Sequence, residues 1–405
     1  MSSPLPPQPP SSAGRKDRPT RGRILYVIGS LDVGGTERHL ARIAPRLAQR
    51  GWEISIYCLT HRGIQADAVA RGGVNVIAPS AGPARPNASR LQRLYRLTLT
   101  ASKLLTVLTR QRPQIVHFFL PGAYLTGAPL AMITRVPIRI MSRRSLNYYQ
   151  SARSWNRRLE IWLHRRMTLI LGNSQRILEQ LVADEECDPK RLALIYNGID
   201  LAPFEQDFDG AATRRALGID EDALVLVIVA NLIPYKGHAD LVEALGRIAN
   251  DLPQPWTLLC AGRDDGCGGE LRELSQKLGV SAQIRFLGSR HDVPQLLHCA
   301  DIAILCSHEE GFSNAIIEGM AAGLPMIVTD VGGNTEAVRE DVDGLVVPAR
   351  APEALAKAIL ALAQDPAKRK RLGANGRARA TSTFGIEACV SEYDETYLRL
   401  IEKVR

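Results

Sequence analysis

Short apolar runs separated by amphipathic stretches form the pattern of the first half of the chain. Such runs occupy residues 24–28, 54–59, 74–78, 115–119, 138–141 and 169–171. Helical spacing of apolar residues is clearest over 36–50, where Gly51 stands at the expected helix end, and over 90–112. Buried strands that alternate with helices are typical of a parallel sheet covered by helices on both faces. The first half is therefore predicted to form one doubly wound α/β unit.

The same alternation begins again after a polar segment at 202–212, which is predicted to be a linker. A helix is expected over 238–248, among apolar runs at 224–229, 257–261, 284–287, 302–305 and 326–328. The predicted fold class is α/β, with two tandem Rossmann-like doubly wound domains that face each other across a cleft. Ligands bind at the carboxyl ends of the strands in such sheets, so this cleft is the expected binding site.

The predicted domain boundaries follow from these patterns. A disordered, basic, Pro/Ser-rich tail at 1–22 precedes an N-terminal domain at 23–200 and a C-terminal domain at 201–384. A long helix occupies 385–405, and its periodicity leaves open whether it packs back on the N-terminal domain. The tail lacks the apolar segment of a secretory signal, and no stretch of eighteen uncharged apolar residues predicts a membrane-spanning helix.

Cysteine usage and charge indicate the cellular compartment and the kind of partner to expect. The seven cysteines have no C-x-x-C spacing, which disfavours disulfides or a zinc site and favours the reducing cytoplasm. Residues 1–200 carry 30 Lys and Arg against 12 Asp and Glu, a net charge of +18, whereas residues 201–405 carry 21 against 30, a net charge of −9. The positive half is expected to face an anionic partner.

Two loops at strand ends carry candidate anion-binding groups. The loop 29–36 nearly matches a phosphate-binding P-loop, but Gly35 stands where that loop needs lysine. What remains is a set of amides at a helix N-terminus, which suits either an anion site or a simple tight turn. Lys236 follows the strand at 224–229, where its ammonium would meet a diphosphate in the cleft; on its own it is equally an exposed loop lysine.

The segment 309–318 places two glutamates around a helix start. Glu310 precedes the helix, Ser313 or Asn314 suits its N-cap, and Glu318 lies about one turn inside it. The free amides between them favour negative charge, and one carboxylate can accept both hydroxyls of a ribose. This arrangement suits a nucleotide sugar, whereas a helix start with dipole-complementing acids would explain one glutamate better than two.

With these residues the sequence resembles the family-four retaining glycosyltransferases of the GT-B fold, over about residues 23–400. The E-x7-E signature of that family is Glu310 to Glu318, followed by the run 321–325. The specific part of the resemblance also includes Gly332, Gly333 and Glu336, and the segments 34–37, 173–174, 197–200, 234–237 and 286–288 support it.

The resemblance implies a role for each matching residue. Lys236 would neutralise the departing diphosphate, Glu310 would hydrogen-bond the transferred sugar, and Glu318 would hold the ribose hydroxyls. His117 matches the first histidine of an H-x-H pair and is expected to be catalytic with Lys236 and Glu310. Further donor contacts would come from Gly34, Gly35, Phe312, Ser313 and Asn314.

Two positions depart from the family pattern. Phe119 replaces the second histidine, which removes the group that usually contacts the donor sugar. Asn231 replaces the arginine usually found five residues before the lysine. Asn231 is kept as a predicted donor contact, and leaving-group stabilisation would rest more on Lys236 and on backbone dipoles.

The predicted activity is transfer of a sugar from a nucleoside-diphosphate sugar to an acceptor hydroxyl with retained anomeric configuration, in polysaccharide, glycolipid or other cell-envelope glycan synthesis. The resemblance implies no cofactor and no metal, and the Asp-x-Asp pairs at 207–209 and 341–343 lie in linker or turn context. The alternatives are a GT-B epimerase or phosphorylase and a non-catalytic protein that binds nucleotide sugars or nucleic acid. No nucleic-acid module accompanies the positive charge, so no nucleic-acid partner is expected.

Basic residues of the N-terminal domain predict a surface for an anionic acceptor or membrane. The amphipathic segment 90–112 fits either a membrane surface or a crossover helix that buries its leucines. The stretch 139–166 is rich in arginine and offset only by Glu160, with Tyr148, Tyr149, Trp155 and Trp162 among the arginines. The arginines expected to face a lipid-linked acceptor or the inner face of the membrane are Arg143, Arg144, Arg157 and Arg158.

Overall fold

The computed structural model describes residues 20–32, 34–79, 89–146 and 154–404, without the side chains of residues 154 and 155. The strands of the first sheet are β1 (Gly22–Ile28), β2 (Trp52–Cys58), β3 (Asn75–Ile77), β4 (Ile115–Phe119), β5 (Ile138–Arg143), β6 (Leu169–Gly172) and β7 (Leu192–Leu194). All pairs are parallel, in the order β3-β2-β1-β4-β5-β6-β7. The order runs outward from β1 in both directions, as in doubly wound sheets.

Helices cover both faces of this sheet because successive side chains of a strand point to opposite sides. On β1, Ile24, Tyr26 and Ile28 belong to one core layer, and Leu25 and Val27 belong to the other. The helices of this part of the chain are α1 (Gly35–Gln49), α2 (Ala66–Arg71), α3 (Arg90–Gln111), α4 (Pro121–Ile133), α5 (Ser154–His164) and α6 (Gln175–Glu185).

The second sheet repeats this architecture. Its parallel strands are β8 (Leu224–Val229), β9 (Trp256–Ala261), β10 (Ile284–Gly288), β11 (Ile302–Leu305), β12 (Met326–Thr329) and β13 (Gly344–Val347), in the order β10-β9-β8-β11-β12-β13. The remaining helices are α7 (Ala202–Glu205), α8 (Gly210–Ala216), α9 (His238–Ile248), α10 (Gly268–Lys277), α11 (Val293–His298), α12 (Asn314–Ala321), α13 (Asn334–Ala337), α14 (Pro352–Ala363), α15 (Pro366–Thr383) and α16 (Ile386–Glu402). The predicted fold class is confirmed.

The last helix, α16, packs on the first sheet rather than on the second. Its apolar residues share a core layer with β1 and α1. Asp394 accepts hydrogen bonds from Arg21 at 2.6 and 2.7 Å and from Trp52 Nε1 at 2.7 Å. The hydroxyls of Tyr26 and Tyr397 lie 3.1 Å apart. Periodicity left open whether the last helix packs back on the N-terminal domain, and these side-chain contacts show that it does.

Some predicted elements differ from the structure. The expected linker at 202–212 contains α7 and the start of α8, and the short edge strands β7 and β13 were not predicted. Edge strands of three or four residues leave too little pattern for an apolar run to be recognised. Within the described residues, no helix is both long enough and apolar enough to cross a membrane.

Candidate active site

A cleft of about 770 Å³ lies between the two domains, at the carboxyl ends of their strands. The first domain lines it with the start of α1 and with residues that follow β4 and β5. The second domain lines it with Asn231 and Lys236 after β8, Arg263 after β9 and Glu310 after β11. Both sheets therefore present loops and helix starts to one shared space.

Lys236 and Glu310 form an ion pair in this cleft. Lys236 Nζ lies 2.5 Å from Glu310 Oε1, and the Ser307 hydroxyl donates to the same oxygen at 2.8 Å. The lysine and glutamate side chains are only 17% and 10% exposed. Gly237 makes the turn behind Lys236 at φ +73°, where a Cβ would lie 2.0 Å from the carbonyl oxygen of Cys306. The cleft thus offers a cation and a carboxylate, which suit a ligand with anionic and hydroxyl groups.

Helix α12 points its N-terminus into the same space. Asn197 of the first domain holds this helix start, because its Nδ2 donates to the carbonyl oxygen of Phe312 at 3.0 Å and to Asn314 Oδ1 at 2.9 Å. Arg144 Nη2 donates to Asn197 Oδ1 at 2.5 Å. Ser313 is the N-cap residue but makes no side-chain cap. The first amides of the helix have no acceptor within the helix, which favours an anion there.

Glu318 lies one turn inside α12 and lines the cleft. Burial raises the pKa of Glu318, and the nearby Arg42 and Arg38 of α1 oppose that rise. Arg42 Nη2 lies 3.7 Å from Glu318 Oε1, across the domain boundary. The carboxylate is therefore desolvated but has a cation close by, which suits a group that accepts hydrogen bonds from a bound ligand.

The two predicted glycines of the first domain occupy different positions. Gly34 is the N-cap residue of α1, and a Cβ there would lie 2.1 Å from Glu37 Oε2. Gly35 lines the cleft, and a Cβ there would meet no atom within 4 Å. A ligand could therefore approach the backbone at Gly35 without hindrance. Residue 33 of the same loop lies outside the described residues.

Comparison with known proteins bears directly on this site. The family model described as glycosyl transferases group 1 matches residues 209–379, and the model described as glycosyltransferase family 4 matches residues 33–203. A D-inositol 3-phosphate glycosyltransferase of Corynebacterium glutamicum (strain R) is 28% identical over 395 residues, which cover 92% of this chain and 93% of the relative.

Solved structures show the same two-domain fold. Anabaena Alr3699/HepE in complex with UDP-glucose has a TM-score of 0.80 at 23% identity, over 93% of this chain and 99% of that one. Sucrose-phosphate synthase from Thermosynechococcus elongatus has a TM-score of 0.77 at 21% identity, over 94% and 100% of the two chains. The chain belongs to the family-four GT-B glycosyltransferases. The predicted family is confirmed, and the protein is a glycosyltransferase.

This glycosyltransferase has cleft arginines that sequence reasoning missed. Asn231, which stands in place of the family's usual arginine, accepts a hydrogen bond from the amide of Arg263 at 3.2 Å. Arg263 and Arg290 both line the cleft, where each pairs with an aspartate two residues further on. Arg38 lines the opposite wall. Position 231 is therefore not the sole place in the cleft for positive charge. The available signal was an arginine two residues after the end of a strand, as at Arg263 and Arg290.

The structure corrects the prediction that His117 of the glycosyltransferase is catalytic. The imidazole is fully buried in β4, with Nδ1 2.8 Å from the Tyr397 hydroxyl and Nε2 2.7 Å from the Ser142 hydroxyl. Burial, aided by the charge of Arg144, lowers the pKa of His117 well below its usual value, so the ring stays neutral. Helix α16 covers this part of the sheet, and His117 does not line the cleft.

Arg143 does not face solvent, so the prediction that it lies on an acceptor or membrane surface is wrong. Its side chain is 3% exposed, with Nη2 3.0 Å from Glu160 Oε2 and 2.6 Å from Glu185 Oε2. His164 Nε2 lies 2.8 Å from the same oxygen of Glu185. Glu160, His164 and Glu185 are close enough together to resemble metal ligands, but both carboxylates already pair with the Arg143 guanidinium.

The other three arginines of that predicted surface lie in different parts of the first domain. Arg144 lines the cleft beside Asn197, whereas Arg157 and Arg158 are exposed on α5. Arg157 donates to the carbonyl oxygen of Asp184 at 2.6 Å. Tyr148, Tyr149 and the side chain of Trp155 lie outside the described residues. Of the four arginines predicted to form this surface, Arg157 and Arg158 keep an exposed position, and Arg144 lines the cleft.

Proposed function

We propose that the protein transfers a sugar from a nucleoside-diphosphate sugar to an acceptor hydroxyl with retention of anomeric configuration and without a metal or other cofactor. The observation that carries the proposal is the Lys236–Glu310 pair beside the free N-terminus of α12, with Glu318 one turn further on. A cation and helix amides suit the diphosphate, and the two carboxylates suit hydroxyl groups on either side of it.

The donor would lie with its diphosphate between Lys236 and the first amides of α12. Charge builds up on the diphosphate as its bond to the sugar breaks, and pre-positioned cations and dipoles favour that change. Glu310 would then accept hydrogen bonds from the sugar, and Glu318 from the ribose. UDP-sugars are the first donors to test, because the similar HepE structure contains UDP-glucose. These roles need no covalent enzyme intermediate.

The acceptor would enter from the first domain. Arg144 and Arg38 line that wall of the cleft, and they give it a positive charge suited to an anionic acceptor. The name of the Corynebacterium relative includes an inositol phosphate, which supports a phosphorylated acceptor. We propose an anionic or lipid-linked acceptor used in cell-envelope glycan synthesis.

A peripheral location at the inner face of the membrane fits the first half of α3. Leu91, Leu94 and Leu97 there are at least half exposed, whereas Leu104 and Leu108 further along are buried on the sheet. Helix α3 thus serves as a crossover helix at its C-terminal end and presents apolar and basic residues at its N-terminal end. Such a surface suits an anionic lipid boundary.

A panel of nucleoside-diphosphate sugars would test the proposal. The protein should release nucleoside diphosphate slowly from one donor without an acceptor, and EDTA should not stop it. A protein that binds nucleotide sugars without turning them over would show affinity but no release. An epimerase would change the sugar while leaving the diphosphate attached, and a phosphorylase would need inorganic phosphate for the release.

A further inference from the structure

A second recess of about 690 Å³ lies on the first domain, away from the cleft. Its arginines are set at strand starts: Arg139 is near the start of β5, Arg166 precedes β6, and Arg191 precedes β7. Because the sheet is parallel, these strand starts form the edge opposite to the carboxyl ends that line the cleft. The recess is completed by Met132, Arg165, Met167 and Thr168.

Backbone carbonyls hold three of the arginines in place. Arg166 donates through Nη1 to the carbonyl oxygen of Trp162 at 2.7 Å. Arg139 donates through Nε to the carbonyl oxygen of Arg166 at 3.1 Å and through Nη1 to that of Val136 at 2.6 Å. Arg191 Nη1 donates to the carbonyl oxygens of Arg165 at 2.8 Å and Met167 at 3.0 Å. Carbonyl contacts fix a guanidinium without cancelling its charge, so these side chains remain ready to donate to an anion.

Carboxylates neutralise only part of this charge. Arg165 Nη2 lies 2.7 Å from Glu186 Oε2, and Arg191 Nε lies 3.9 Å from Asp188 Oδ2. No described residue supplies a carboxylate to Arg139 or Arg166, and none accepts a hydrogen bond from Nη2 of Arg139 or Arg191. Among the described residues, four guanidinium groups thus share two carboxylates, and all four arginines line the recess.

Exposed apolar side chains flank the recess. Ile133, next to Met132, is 71% exposed, and Trp162 is 44% exposed. The Arg166 guanidinium lies 3.6 Å from the centre of a Trp162 ring. Indole rings are favoured at the boundary between water and lipid, and basic groups beside them attract anionic headgroups. A soluble anion would gain nothing from Ile133, whereas a lipid headgroup brings acyl chains near it.

We infer that this recess binds the phosphate group of an anionic phospholipid. The guanidinium groups would donate to the phosphate oxygens, and Trp162 and Ile133 would lie against the lipid next to the headgroup. The inference rests on the proposed membrane location but not on the donor chemistry. Arg139, Arg165, Arg166 and Trp162 belong to the arginine-rich stretch that the sequence suggested, and the structure adds Arg191 and Ile133 to them.

Vesicle sedimentation with phosphatidic acid in phosphatidylcholine would test the site. The double variant Arg165→Gln and Arg166→Gln removes two charges. It leaves in place the side chains of Arg139 and Arg191 and their contacts to backbone carbonyls. At about 1 kcal/mol for each basic group near anionic lipid, binding should weaken about 30-fold. The matched control, Arg62→Gln with Arg71→Gln, removes two exposed arginines elsewhere on the domain and should bind as the wild type does. Added salt should weaken the wild-type binding.

Three results would overturn the inference. They are equal vesicle binding by the two double variants, no binding of the wild type at low salt, and calorimetric binding of glycerol 3-phosphate in the recess without any binding to vesicles. Calorimetry with nucleoside diphosphates on the same samples separates this question from the donor site. If the wild type does not bind nucleoside diphosphates, the proposed function is contradicted and the lipid result is unaffected.

Discussion

Replacing Lys236 by methionine removes the ammonium while keeping most of the side-chain volume. The ammonium pairs with Glu310 at 2.5 Å, and both side chains are largely withdrawn from water. When a donor binds, the same ammonium would stand beside the diphosphate. The Lys236→Met substitution therefore tests whether this charge acts on the leaving group or only on Glu310.

The size of the effect follows from the geometry. Two unit charges about 4 Å apart interact by about 4 kcal/mol at the effective dielectric constant near a protein surface. The diphosphate gains negative charge as the sugar leaves, so more of this energy is available in the transition state than in the bound donor. The loss of one pre-positioned donor to such a charge lowers kcat by about 10² to 10³-fold. Nucleotide affinity should fall by less.

Steady-state release of nucleoside diphosphate, measured at saturating donor, separates these effects. Lys236→Met should lower kcat strongly, and calorimetry should show a smaller loss of nucleoside-diphosphate affinity. Lys277→Met, at an exposed position on α10, is the matched control and should behave as the wild type does. Wild-type kcat in Lys236→Met would refute the role of this lysine, whatever its effect on affinity.

Three further substitutions test other parts of the account. Glu318→Gln should weaken nucleoside-diphosphate binding by about 1–3 kcal/mol in calorimetry. Because burial raises the pKa of Glu318, the folded state binds the proton of this carboxyl group more tightly than the unfolded state does. The wild-type free energy of unfolding should therefore fall as pH rises through the folded-state pKa. In urea unfolding, the glutamine variant should not show this pH-dependent loss of stability. Arg143→Met should lower the free energy of unfolding by about 3–5 kcal/mol, because it removes a buried cation that pairs with Glu160 and Glu185, whereas Arg157→Met should unfold as the wild type does. His117→Phe should lower stability by about 1–3 kcal/mol, because two buried hydroxyls lose a partner, and should leave the pH profile of kcat unchanged; a shifted profile would restore a catalytic role.

The cleft residues of the second domain could be predicted because their positions depend on local chain geometry. A strand end, a turn and a helix start place Glu310 just before α12 and Glu318 about one turn inside it, whatever the rest of the chain does. The strand-end position of Lys236 is equally local. The E-x7-E spacing and the parallel strand pattern therefore led to residues that line one cleft.

The first domain was harder to interpret because its side chains depend on distant partners. Arg143 and Arg144 are neighbours in sequence, yet one is buried with two glutamates and the other lines the cleft, as alternation along a strand end allows. His117 is covered by α16, whose Tyr397 lies 280 residues further along the chain. Neither composition nor periodicity reports such a contact. Charge counting singled out the stretch 139–166 but did not show that Arg139, Arg166 and Arg191 gather near the starts of β5, β6 and β7.

The central claim is that the cleft cleaves a nucleoside-diphosphate sugar by metal-independent loss of the diphosphate with retention of configuration. Proton NMR can follow the anomeric signals while the wild type slowly hydrolyses its donor in the presence of EDTA. For an α-linked donor, the α-anomer of the free sugar should appear first, before mutarotation, and Lys236→Met should suppress the reaction. First appearance of the β-anomer, or turnover that requires an added divalent ion, would contradict the account.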